Sequence, residues 1–142
     1  MRRRRKIPIA TLGLVAVGGV VGAVARYGVA RGVPTPTDAF PWATFTVNVS
    51  GSLALGVLLT LVVERVPRGR MLRPLVGTGV IGAYTTFATL AVETVLLVRD
   101  GRAGTAALYL AASLAAGLAA ATAGIALTRG AVRSGRVGRQ TS

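Results

Sequence analysis

The sequence of 142 residues contains no cysteine and no histidine, and only four of its residues are acidic. These absences exclude thiol chemistry, thiolate or imidazole metal sites and His-based catalysis. The four carboxylates lie in different segments, so they form neither a general acid–base pair nor a carboxylate metal cluster: Asp38, Glu64, Glu93 and Asp100. The sequence therefore predicts that the protein is not an enzyme.

Charged and aromatic residues are few, at 15% and 5% of the chain, whereas 52% of the residues are hydrophobic. A typical soluble domain has roughly 25% charged residues. The apolar residues form long runs, which indicates that lipid surrounds the protein. The net charge of +13 suggests a nucleic-acid partner, but the basic residues flank the apolar runs instead of forming one face with interleaved aromatics. We therefore expect no nucleic-acid partner.

Four apolar segments within a single membrane domain are near or above the ~20 residues that a helix needs to cross the hydrocarbon of a bilayer. They cover residues 7–29, 42–63, 75–98 and 103–127, with basic tails at 1–6 and 129–142. We predict that the second tail is disordered from Arg133 onwards. The basic N-terminal run resembles that of a secretory signal, but its apolar segment is longer than the ~7–15 residues of such signals. We expect this segment to be a retained first helix.

The basic residues are divided unevenly between the two sides of the predicted membrane domain. With four crossings, thirteen Lys and Arg residues of the tails and of segment 65–73 lie on one side, against three on the other side. Loops rich in Lys and Arg stay in the cytoplasm. The distribution predicts a multi-pass protein of the plasma membrane with both termini in the cytoplasm.

The predicted crossings contain three clusters of small or polar residues, at 18–27, 48–52 and 77–90. In the first cluster, Gly18 and Gly22 allow close helix packing, and Arg26 either snorkels to the headgroups or belongs to a site. In the second cluster, Asn48 lies too deep to cap its helix, and its amide offers two N–H donors that suit an anion. An interhelical hydrogen bond is the alternative function of Asn48.

The third cluster, residues 77–90, contains three glycines and four threonines, which make a poor continuous helix. A break here frees main-chain carbonyls at mid-membrane. Such backbone is tolerated where it is buried in protein or lines a cavity, and its carbonyls can hold a cation. We predict a broken third helix, with a flexible but unbroken, closely packed helix as the alternative.

Three motifs together resemble the signatures of the Fluc/CrcB family of fluoride channels, in the order of that family: GGxxGAxxRY at 18–27, NxxGS at 48–52 and GxxGxxTTF at 79–87. The resemblance covers the first three crossings. It implies an all-α integral membrane protein with four transmembrane helices per subunit and a broken third helix. It also implies an antiparallel, dual-topology dimer with two narrow pores for passive fluoride export and a structural Na⁺ at its centre.

The resemblance assigns roles by position. Asn48 is expected to be the amide donor of the pore, Phe87 its aromatic ring and Thr89 part of its hydroxyl track. The main-chain carbonyls of Gly82 and Thr85, with those of the partner subunit, are expected to bind Na⁺. The ring edge of a phenylalanine is positive, so it faces an anion without a full charge that would trap the ion. Supporting positions belong to Arg26, Ser52, Thr86 and Glu93.

Two positions depart from the family pattern. Leu90 replaces the second phenylalanine of the pore, and Ala88 replaces a track serine. A homodimer would have both pores altered in the same way, and the uneven distribution of basic residues opposes insertion in two orientations. We therefore hypothesise a heterodimer with an inverted paralogous subunit, with a homodimer as the alternative.

Two other functions stay open at the level of sequence. The first is a small proton-coupled multidrug or metabolite exporter. Exporters of that kind carry a coupling carboxylate in their first crossing, whereas here Glu93 in the third crossing is the membrane-embedded candidate. The second is a non-conducting partner subunit of a channel.

Overall fold

Every regular element in the part of the chain that the computed structural model describes, residues 8–34, 36, 39–64 and 71–137, is helical. Four helical stretches of these residues are long and apolar enough to cross a membrane, with mean hydropathies of 1.6 to 1.9. They cover Ile9–Gly32, Trp42–Val62, Arg73–Arg99 and Ala103–Ser134. The predicted all-α fold with four crossings is confirmed.

Helices α1 (Ile9–Gly32) and α2 (Trp42–Glu64) lie close to their predicted positions. Pro8 precedes α1 with extended backbone, and Pro34 follows its C-terminal cap, Val33, so proline brackets this helix. The basic residues 1–6 and Arg65, Arg68 and Arg70 lie outside the described residues.

The last helix, α5 (Ala103–Val137), is longer than predicted. No proline occurs after Pro74, and arginine is a good helix former that is favourable near a helix C-terminus. The prediction of disorder from Arg133 is therefore wrong for residues 133–137, which are helical; residues 138–142 lie outside the described part. At 1.5 Å per residue the helix is about 52 Å long, so it extends well beyond ~30 Å of hydrocarbon.

The third crossing is divided in two near its midpoint. Its first half consists of a π-helical segment, π1 (Arg73–Ile81), and one α-helical turn, α3 (Gly82–Tyr84). The N–H of Gly82 reaches back five residues to the carbonyl of Gly77, which is the wider π-helical bond. Thr85 and Thr86 then adopt extended backbone, with ψ of 157° and 119°, before α4 (Phe87–Arg99) begins. The predicted break is confirmed.

The helices pack in two close pairs through glycine. A Cβ on Gly18 would collide with the carbonyl oxygen of Leu75, and one on Gly22 with that of Val80, so α1 lies directly against π1. Likewise, a Cβ on Gly124 of α5 would collide with the carbonyl oxygen of Leu53 in α2. Small residues allow this close approach of backbones in lipid, where no hydrophobic effect drives helices together.

A small cluster of buried hydrophobic residues lies between α4 and α5. Leu90, Leu97, Ala106 and Tyr109 form it, with Phe40 and Phe45 packed against it. Many large apolar side chains are exposed instead, such as Ile9 at 87%. This outward apolar surface is what a protein embedded in lipid presents.

Candidate functional site

Asn48 in α2 bonds the main chain of the break. Its Nδ2 donates to the carbonyl oxygen of Thr86 at 3.0 Å, and its Oδ1 accepts from the N–H of Thr86 at 2.8 Å. The extended backbone of Thr86 leaves both groups without helical partners, and the amide of Asn48 replaces these partners. Asn48 can therefore both make an interhelical hydrogen bond and donate to an anion, because the amide still carries one further N–H.

Thr86 also caps the second half of the third crossing. Its Oγ1 accepts from the N–H of Thr89 at 3.1 Å and shares a 2.9 Å hydrogen bond with Oγ1 of Thr89. This is the side-chain cap typical of a helix N-terminus. The positive end of the α4 dipole thus lies at the break, near the midpoint of the crossing.

A cavity of about 390 Å³ opens at the break between α2, the third crossing and α5. It is lined by Leu90 and by five of the predicted site residues: Asn48, Ser52, Thr85, Thr86 and Phe87. Phe87 is 80% exposed, so its ring stands free of the packed subunit. Leu90, which replaces the second phenylalanine, is 7% exposed and borders this cavity with part of its side chain.

Ser113 in α5 also lines this cavity, although no sequence motif indicated a role for it. It is 7% exposed, and its Oγ has no hydrogen-bond partner among the described residues. Buried hydroxyls are normally paired, so an unpaired one beside a cavity indicates a place for a polar ligand or water. Ser113 lies four residues after Tyr109, so the two polar side chains share one face of α5. This spacing is the sequence pattern that could have indicated Ser113.

Arg26 and Thr89 lie on a different cavity. This second cavity, of about 400 Å³, is lined by Arg26, Tyr27, Thr44 and Thr89, and Thr86 borders both cavities. Phe87 and Thr89 are two residues apart on α4, so they project in different directions. The structure therefore brings the predicted site residues Asn48, Ser52, Thr85, Thr86 and Phe87 together at the first cavity. It places Arg26 and Thr89 on the second cavity, with Thr89 still hydrogen-bonded to Thr86.

Glu93 in α4 is half-buried and hydrogen-bonded to residues of α2 and α5. Its Oε1 accepts from Thr44 Oγ1 at 2.9 Å, and its Oε2 accepts from the hydroxyl of Tyr109 at 2.7 Å. Tyr109 is completely buried, and its ring makes an edge contact with Phe40 at 5.3 Å. The carboxylate thus bonds two neighbouring helices, and Glu93 also lines a cavity with Pro36, Pro41 and Asp100 at the end of α4. No sequence motif indicated Thr44 or Tyr109 as partners of Glu93. Thr44 lies one turn before Asn48 on the same face of α2, and this spacing could have indicated it.

Gly82 and Thr85 border the break, as a carbonyl-based cation site requires. Both the N–H and the Oγ1 of Thr85 bond the carbonyl oxygen of Ile81 at 3.0 Å, so its hydroxyl is turned back onto its own helix. Gly82 is exposed on the surface of the subunit. Peptide oxygens of unwound helices suit Na⁺, and the surface position suits an ion shared with a second subunit. Gly82 and Thr85 therefore fit a Na⁺ site of this kind.

These features define a small multi-pass membrane protein with a helix break and hydrogen-bond donors near the middle of its third crossing. Residues 13–125 match the model of the family described as "CrcB-like protein, Camphor Resistance (CrcB)". The chain belongs to this family.

Several curated relatives are similar over most of their length. The "Fluoride-specific ion channel FluC 1" of Streptomyces coelicolor is 44% identical over 117 residues, which cover 82% of this chain and 75% of the relative. The "Fluoride-specific ion channel FluC" of Novosphingobium aromaticivorans is 44% identical over 119 residues, covering 82% and 94%. That of Rhodospirillum centenum is 47% identical over 120 residues, covering 83% and 94%.

Proposed function

We propose that this chain is a subunit of a fluoride-specific ion channel through which fluoride leaves the cell passively. The relatives named above are fluoride-specific channels, and family membership extends over residues 13–125. The observation that carries the proposal is the break at Thr85–Thr86, held by Asn48 beside a cavity that contains an unpaired hydroxyl. The chain is thus a channel subunit and not an enzyme.

The cavity at the break has the chemistry that fluoride needs. Fluoride is strongly hydrated, so a pore has to replace its water with hydrogen-bond donors. The further N–H of Asn48, the hydroxyl of Ser113 and the N-terminal end of α4 offer such donors. The exposed ring of Phe87 adds a positive edge. Among the described residues, none that lines this cavity is charged, so the anion meets donors without a full charge that would hold it.

The cation site is part of the same proposal. Gly82 and Thr85 hold Na⁺ through their main-chain carbonyls, with equivalent groups from a second subunit completing the ligand shell. When bound, the ion supplies a fixed positive potential next to the anion path. Thr85 itself lines the cavity at the break, which supports this arrangement.

A dimer is supported by polar side chains that the isolated subunit leaves uncovered. Ser50 and Tyr84 share a 2.9 Å hydrogen bond on the outer surface, beside exposed Thr46. Polar groups that face acyl chains are costly, so a second subunit that covers this surface stabilises the protein.

The partner in our proposal is an inverted paralogue. Leu90 lies at the cavity in place of a ring, so each pore depends on the second subunit for that group. The excess of basic residues at the ends of α1 and α5 and in the 65–73 segment favours one orientation, with both termini in the cytoplasm of a plasma-membrane protein. A homodimer is the alternative assembly.

The exporter and the non-conducting subunit gain no support. The coupling carboxylate of an exporter has to exchange protons and substrate, whereas Glu93 is occupied by Thr44 and Tyr109. The channel names of the relatives also favour conduction.

Fluoride efflux from liposomes tests the proposal. We expect the chain reconstituted with its inverted paralogue to release fluoride but not chloride, and the chain alone to give little flux. Robust selective efflux from the chain alone would support the homodimer. Absence of fluoride flux in both preparations would contradict the channel function itself.

A further inference from the structure

Asn48 holds two successive peptide groups of the break with one amide. Its Oδ1 accepts from the N–H of the peptide that joins Thr85 to Thr86, at 2.8 Å. Its Nδ2 donates to the carbonyl of the next peptide, which joins Thr86 to Phe87, at 3.0 Å. The acceptor end and the donor end of the side chain therefore act on different peptides.

The first of these peptides also carries the Thr85 carbonyl. A trans peptide group is planar, so its N–H and its C=O point in opposite directions. Because the N–H of Thr86 points at Asn48 in α2, the carbonyl of Thr85 points away from α2. The backbone on both sides is extended, with ψ of 157° at Thr85 and φ of −148° at Thr86, so no helical ladder orients this peptide. The bond to Asn48 orients it instead.

We propose that Asn48 is the positioning residue of the cation site. Its Oδ1 aims the Thr85 carbonyl toward Na⁺ through the intervening peptide, whereas its remaining N–H serves the anion path. The inference rests on the proposed function in that it assumes the Na⁺ site at Gly82 and Thr85. It predicts that one side chain has two separable roles, one for each end of its amide.

Two substitutions of similar shape separate these roles. Asn48→Asp retains an oxygen acceptor in either protonation state, and when ionised it has no donor. Asn48→Leu has neither group. Thr60→Val is the matched control, because the hydroxyl of Thr60 lies in the same helix and bonds the Gly56 carbonyl of that helix, at 2.9 Å.

Na⁺ binding is measured on the full chain, together with its partner if assembly requires one. The readouts are the Na⁺-dependent rise of Tm and the ¹³C shift of the Thr85 carbonyl, with N-methyl-D-glucamine as the reference cation. We expect wild type, Asn48→Asp and Thr60→Val to respond alike. Asn48→Leu should bind Na⁺ about ten-fold more weakly, the loss typical of one hydrogen bond.

Fluoride efflux is recorded in parallel and should fall in both Asn48 variants. A wild-type Na⁺ affinity in Asn48→Leu, or no Na⁺ response in the wild type, would overturn the inference. If Asn48→Leu does not fold, the inference is tested with Asn48→Asp alone: a wild-type Na⁺ response supports it, and loss of that response contradicts it. The expected Na⁺ pattern without any fluoride flux in the wild type would leave this inference standing and remove the proposed function.

Discussion

Several hydroxyl side chains in the crossings bond their own helix. Thr60, Thr94 and Thr128 each donate to the carbonyl oxygen four residues earlier, at 2.7 to 2.9 Å. Such back-bonding satisfies a hydroxyl in lipid without a partner helix. Ser113 differs, since its buried Oγ bonds nothing among the described residues and faces the cavity at the break. An unpaired hydroxyl at this place indicates function more than stability.

Ser113→Ala should therefore separate stability from conduction. Removal of an unpaired buried hydroxyl should leave the free energy of unfolding unchanged or slightly higher, because no hydrogen bond is lost. Fluoride efflux should slow several-fold, because the cavity loses a donor. Thr128→Val is the comparison: it removes a hydroxyl that bonds the Gly124 carbonyl at 2.8 Å and should cost about 1 kcal/mol. Equal efflux in Ser113→Ala and the wild type would exclude Ser113 from the anion path.

Leu90 is expected to limit the fluoride efflux of the chain reconstituted alone. Its side chain is 7% exposed and borders the cavity that also contains Phe87. Leu90→Phe should restore an aromatic edge to this cavity and raise fluoride efflux of the chain reconstituted alone. The larger ring should cost about 1–3 kcal/mol of stability through overpacking. Efflux that stays at the wild-type level in a folded variant would indicate that orientation, and not the missing ring, limits the lone chain.

At the scale of helices, the contact of α1 with π1 depends on two glycines four residues apart. The carbonyl oxygens of Leu75 and Val80 occupy the places where Cβ atoms on Gly18 and Gly22 would lie. These are main-chain atoms, so they cannot move aside as a flexible side chain does. The break is therefore supported from two sides, by α1 packing against its first half and by Asn48 at Thr86.

Gly18→Ala should consequently disrupt this helix pair. We expect a loss of about 1–3 kcal/mol in stability, the range for an overpacked contact. Gly19→Ala is the control, since no atom of the described residues lies within 4 Å of a Cβ at that position. The two variants are compared by thermal unfolding in the same detergent. Equal Tm values would show that α1 does not lie this close to π1.

At the scale of the whole molecule, charge distribution determines how the subunit inserts. Thirteen basic residues are assigned to one side of the bilayer and three to the other. We expect a single orientation with both termini in the cytoplasm. Tags on each terminus, tested for accessibility in intact cells and in inverted vesicles, measure this orientation. Equal populations on both sides would contradict the heterodimer with an inverted paralogue and favour a dual-topology homodimer.

Hydropathy, glycine and threonine content were sufficient to predict four crossings and a break in the third. These properties act locally, since each residue's transfer into lipid and its helix propensity depend little on distant partners. The end of α5 was missed because basic composition resembles a disordered tail, whereas helix propensity and the absence of proline extend the helix to Val137.

Contacts between distant segments were beyond reach of the sequence. Only the folded chain places Asn48 against Thr86, 38 positions away, and Thr44 against Glu93, 49 positions away. Only the packing of α4 puts Phe87 on one cavity and Thr89 on another. The physical reason is that these outcomes depend on the relative rotation of whole helices, which glycine contacts and backbone hydrogen bonds set together.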